Sequence, residues 1–73
     1  MEVKDLYLAG YFYASGLPYK GTRREGKTCW FNFDDWNRCQ QLQQEYIAGI
    51  GTVNAKGYSD ALRTLKGVIF DSD

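Results

Sequence analysis

The sequence predicts an α+β fold, a small α-β-β-α-α domain with one antiparallel β-hairpin packed on three helices. Three observations carry that prediction. Apolar residues recur at helical spacing in three stretches, they alternate with polar ones between the first and second, and Gly or Pro punctuation separates the blocks. At 73 residues the chain (residues 1–73) has room for one domain and a single small core.

The first helix is read from Asp5 to Ser15. Asp5 is a natural N-cap, and Gly16 followed by Pro18 is a stop signal. Leu6, Ala9 and Tyr13 form one apolar stripe and Leu8 with Phe12 a second, so nearly the whole circumference is non-polar and calls for contacts on more than one side. Gly10 costs about 1 kcal/mol against Ala in mid-helix, which points to another backbone crossing closely there, a small residue tolerated by chance being the plain alternative. Leu17 to Phe33 then reads as the hairpin, with Arg24-Glu25-Gly26-Lys27 as its turn and Thr28 to Phe33 as its second strand. Alternation puts Cys29, Phe31 and Phe33 on one face and Trp30 and Asn32 on the other.

Asp34-Asp35 opens the second helix, either carboxylate being able to cap it. Trp36, Cys39, Leu42, Tyr46 and Ile50 mark its expected buried stripe, Gln40, Gln41, Gln43, Gln44 and Glu45 its wet face, and Gly49 and Gly51 its end. Asn54 caps the third helix, with Val53 stapling onto Tyr58. Tyr58, Ala61, Leu62, Leu65 and Ile69 face inward, Lys56, Arg63 and Lys66 outward, and the helix frays into Asp71-Ser72-Asp73.

Composition narrows the function. Nine basic and nine acidic side chains cancel, which argues against bulk attraction to duplex DNA or an anionic membrane. No apolar run approaches the ~20 residues needed to span a bilayer, and the Met-Glu-Val-Lys-Asp-Leu start lacks signal-peptide character, so a cytoplasmic protein is expected. With no histidine and only Cys29 and Cys39, neither a metal site nor any other cofactor is expected. The two cysteines are read as free core thiols in preference to a disulfide.

Catalysis is not expected either: a cysteine nucleophile lacks its usual base, and Asp34 and Asp35 are accounted for by capping. Gly21, Gly26, Lys27 and Thr28 satisfy the spacing of a phosphate loop, but a strand follows where that loop needs a helix, so the match is read as coincidence. The aromatic share, 16%, exceeds what so small a core hides and predicts an interface or a pocket.

Three segments carry a family resemblance: Asp5-Leu6-Tyr7-Leu8-Ala9 with Ala14 and Gly16, Trp30-Phe31-Asn32-Phe33-Asp34, and Tyr58, Ala61-Leu62-Arg63, Leu65-Lys66 and Ile69-Phe70. Together they resemble a small domain-of-unknown-function family of phages, prophages and bacteria. The resemblance implies the same element order and a mobile-element origin, and it brings no site residues with it. The glycine-rich Gly49–Gly51 connection departs from the family pattern.

One local feature suggests a site. Lys20, Arg23, Arg24 and Lys27 outnumber Glu25 on the hairpin, with Trp30 and Trp36 close in sequence. Guanidiniums beside planar rings suit a nucleotide or a single strand. The expected function is therefore a non-enzymatic phage-type protein that sequesters a small anionic, nucleotide-like ligand, such as a host defence signal, as a homo-oligomer. A protein–protein inhibitor of a host protein, a small nucleic-acid-binding regulator and a structural phage accessory are the alternatives. A solvated turn with its aromatics inside is the plain structural account of the same residues.

Overall fold

The computed structural model describes residues 1–71, in the order β1 (Glu2–Val3), α1 (Leu6–Ala14), β2 (Tyr19–Glu25), β3 (Thr28–Phe33), α2 (Trp36–Ala48) and α3 (Ala55–Asp71). The class is mixed α+β, with three helices and a three-stranded antiparallel sheet of order β1-β3-β2. The sequence-predicted order lacks β1. Two residues are too few to show an alternating pattern, and this strand exists only through pairing some thirty positions away. Glu2 lies opposite Asn32 and Val3 opposite Phe31. The Met1 ammonium donates to the Phe33 carbonyl at 2.6 Å, and the Phe33 amide donates back to the Met1 carbonyl at 2.9 Å.

The helix ends follow their capping residues. Asp5 Oδ1 accepts from the Tyr7 and Leu8 amides at 2.9 and 3.4 Å. Asp35, in the left-handed region at φ 70°, accepts from the Arg38 amide at 3.3 Å, and Asn54 Oδ1 accepts from Gly57 at 2.9 Å. Arg24 and Glu25 belong to β2, which shortens the expected four-residue turn to Gly26-Lys27. Gly26 at φ +60° occupies the first central position, as a tight hairpin turn of the II′ kind requires. Between Tyr19 and Gly21 the register slips by one residue, so Lys20 is a bulge and the two halves of β2 keep opposite parity.

Helix α1 is the hub. It packs against α3, α2 and β1, and Phe12 meets Phe33 of the sheet edge-to-face at 5.4 Å. Its apolar circumference is thus largely covered within one chain. A Cβ on Gly10 would stand 2.6 Å from Leu62 Cδ2 and 3.4 Å from the Tyr58 ring, so α3 is the neighbour here and meets Gly10 with side chains where a backbone was expected. Phe12, Phe31, Phe33, Cys39 and Leu65 are fully buried, and Cys29 and Cys39 are buried free thiols.

Two stripe assignments need correction. Trp36 is 57% exposed: at 3.6 residues per turn it sits about 60° from Cys39 and about 120° from Leu42, at the margin of the buried ridge. Ile50 is 71% exposed because α2 stops at Ala48 and Gly49 turns the chain in the left-handed region. Of the acidic end, Ser72 and Asp73 lie outside the described residues. No helix among the described residues is long and apolar enough to cross a membrane.

Candidate functional site

Strand geometry divides the hairpin cluster. Arg23 lies opposite Trp30 and Arg24 opposite the buried Cys29, so the neighbouring guanidiniums leave β2 from opposite faces. Arg23 donates from Nε and Nη2 to the two carboxylate oxygens of Glu2 at 3.0 and 3.2 Å, and from Nη1 to Glu25 at 2.5 Å. This pairing holds the Glu2 carboxyl below the ordinary carboxylate range and raises Arg23 further above its already high value. Arg24 donates to the Ile69 carbonyl in the last turn of α3 at 2.8 Å, where the helix dipole favours a cation.

The Trp30 ring is half-buried, with Arg23 Cζ at 5.7 Å and Lys4 Nζ at 5.8 Å over its face. The structure therefore joins Arg23 and Trp30, adds Lys4 and Glu2, and separates Arg24. Lys20 is exposed in the bulge. Lys27 is exposed in the turn and shares a groove of about 270 Å³ with Lys4, Thr28 and Ile69. Trp36 stands at the start of α2, with no recorded ring contact to Trp30 among the described residues.

A larger cleft lies elsewhere, between the end of α1, one flank of α2 and the loop after it. It has a volume of about 470 Å³, and its polar lining comes from Tyr11, Ser15, Arg38, Gln41, Glu45 and Thr52. That size falls within the ordinary range for small-molecule sites. Tyr11 is 5% exposed, and its hydroxyl donates to Glu45 Oε1 at 3.2 Å; Gln41 Nε2 donates to Glu45 Oε2 at 3.3 Å. The Glu45 main-chain carbonyl also accepts from the Ile50 and Gly51 amides at 3.1 and 3.3 Å, which folds the loop over this residue.

Burial, followed by the Glu45 carboxylate, pushes the Tyr11 phenol above its usual value, while Ser15 and the nearby Arg38 charge act in the opposite sense. Both Glu45 oxygens thus have donors. The Arg38 guanidinium has no ion pair among the described residues. Gly51 is fitted to this arrangement: a Cβ there would collide with the Tyr11 hydroxyl.

No family model, curated protein or solved structure matches this chain.

The cleft therefore stands on its own geometry. Sequence reasoning placed Gln41 and Glu45 on a wet face and passed over Arg38. The available signal was that Arg38, Gln41 and Glu45 share one flank of α2, at steps of three and four. Among the described residues no three metal-ligating side chains converge. Burial pushes the Cys39 thiol up, away from the thiolate that reactive cysteines need.

Proposed function

We propose that the protein is a non-enzymatic binding protein that sequesters one small anionic, nucleotide-like ligand in the Arg38 cleft and works as a homo-oligomer. The observation that carries this reading is Arg38, a guanidinium that among the described residues has no acidic partner, at a cleft whose lining carboxylate is already held by Tyr11 and Gln41. Arg38 and Glu45 are about 10 Å apart along the helix axis. In this reading Arg38 takes the phosphate by its paired N–H donors. Ribose or base N–H and O–H groups reach the remaining acceptor capacity of Glu45. The hairpin, packed on all three helices, serves as scaffold. In a mobile-element protein, such as the family resemblance implies, this binding would withdraw a host signal from circulation.

Calorimetric titration with adenosine 5′-monophosphate, a cyclic dinucleotide and inorganic phosphate tests the reading. Arg38→Ala is expected to weaken nucleotide binding at least tenfold, while the double variant Arg23→Ala, Arg24→Ala retains it. The reverse result would move the site back to the hairpin. Native mass spectrometry of protein from a bacterial lysate is the companion measurement, with a nucleotide-mass species at a fixed ratio to subunits as the supporting result. No binding by any probe and no bound species would replace this reading with that of a protein–protein inhibitor.

A further inference from the structure

Trp36, Gln40, Gln43 and Ile47 follow one another along α2 at steps of four, three and four. That spacing brings them within about 60° of a single line on the helix. The line runs about 90° from the Cys39–Leu42–Tyr46 ridge and on the opposite flank from Arg38 and Glu45. Its ends are large and apolar, Trp36 being 57% and Ile47 75% exposed, and its middle is two uncharged amides. Beside Ile47 a groove of about 340 Å³ opens between α2 and the β1–α1 corner, with Val3, Leu8 and Tyr46 in its lining.

We propose that this stripe is the contact between two copies of the chain, related by a twofold axis with their α2 helices antiparallel. The pattern is self-complementary under that operation. Trp36 meets the partner's Ile47 and Gln40 meets the partner's Gln43, both pairs centred on the same point of the helix. The spacing is that of a heptad seam, whose antiparallel form pairs positions in this way. Each indole reaches the groove beside the partner's Ile47, an aromatic anchor at either end of the interface filling a pocket on the other copy. The glutamine amides, each donor and acceptor, satisfy one another near the axis.

No charged side chain stands on the stripe, and the groove rim is mixed in sign (Glu2, Lys4, Asp5), so the two copies bring no block of like charge together. A helix pair of this length with two seated tryptophans covers on the order of 1,000 Å², the lower end of what a specific interface buries. This inference rests on the homo-oligomer part of the proposed function and is independent of the ligand.

Sedimentation equilibrium on the full chain tests it. The expected mass is twice the 8.4 kDa of one chain, with Ile47→Glu and Trp36→Ala each returning the single-chain mass at unchanged circular dichroism. Gln40→Glu places a charge at the axis on an exposed helical position and is expected to weaken the dimer at least tenfold without touching the core. Ile50→Glu adds the same charge at a comparably exposed isoleucine off the stripe and leaves the dimer intact. A single-chain mass for the unaltered protein at every concentration would overturn both this surface and the oligomer reading. An oligomer that survives Ile47→Glu and Trp36→Ala would keep the oligomer reading and overturn this surface.

Discussion

Arg23 and Arg38 are both exposed guanidiniums on a protein of zero formal charge, yet their surroundings are opposite. On the hairpin, Arg23 is clasped by Glu2 and Glu25 and lies over Trp30, so its donors are spent inside the molecule. On α2, Arg38 borders a cleft whose carboxylate is engaged by Tyr11 and Gln41. A cluster of basic residues in a sequence therefore says little about available charge. Availability depends on where the acids arrive, and Glu2 arrives at Arg23 from 21 positions away, through a strand that exists only in the folded state.

The largest expected effect breaks the cleft without altering its charges. Gly51→Ala puts a methyl group where the Tyr11 hydroxyl lies, so the phenol and its bond to Glu45 must be displaced. Overpacking of this kind costs about 1–3 kcal/mol. A lower urea midpoint with loss of nucleotide binding is the expected result, with the hairpin unaffected. Gly10→Ala is the instructive contrast. Its nearest obstacle is the end of the Leu62 side chain, which can turn away, and the gain of about 1 kcal/mol in helix propensity offsets that shift. Its midpoint should stay close to that of the parent chain.

Separating the two arginines gives the next largest effect. Arg38→Ala is expected to leave thermal stability within about 0.5 kcal/mol, because the guanidinium has no ion pair among the described residues, while the affinity for nucleotide falls. Arg23→Ala should do the opposite, lowering the melting midpoint with affinity unchanged. Its destabilisation should shrink in high salt, since the Glu2 and Glu25 pairs are exposed and screened. An Arg23 variant that loses ligand while an Arg38 variant keeps it would reverse the comparison.

Much of the fold was legible where local chemistry decides it. Asp5, Asp35 and Asn54 cap because short acceptor side chains suit a helix start, and Gly10 marks a close neighbour because mid-helix glycine has a cost. What was not legible is non-local. Strand β1 has no pattern of its own, and the bulge at Lys20 is defined only against β3. Trp36 belongs to a helical stripe by spacing, yet the neighbouring elements cover Cys39 and Leu42 and leave it in solvent. The cleft was hidden for the same reason: Tyr11 and Glu45 are 34 positions apart, and nothing in either segment announces the other.

The smallest expected effect sharpens the comparison through pH, because the two regions carry shifts of opposite consequence. On the hairpin side, Glu2 is held below its ordinary value by its bonds to Arg23. A depressed carboxylate contributes stability that is complete above the ordinary glutamate value of about 4.3 and is lost as pH falls through the lower folded value. On the helical side, Tyr11 of the cleft and Tyr46 and Tyr58 outside it are all raised, chiefly by burial. Folding then favours the protonated phenols, so their contribution is complete below about pH 10 and disappears as pH rises through the higher folded values. Acid should therefore loosen β1 and the Arg23 clasp first, seen as a change in Trp30 fluorescence while the helical signal persists. Alkali should loosen the Tyr11 side first, with tyrosinate absorbance appearing above the ordinary range and in step with loss of helix. Glu2→Gln should remove the acid step and leave the alkaline one in place, and Tyr11→Phe should lower the amplitude of the alkaline step alone. If either substitution shifted both steps together, the hairpin and the cleft would be one cooperative unit, and the independence on which the Arg23–Arg38 contrast rests would fail.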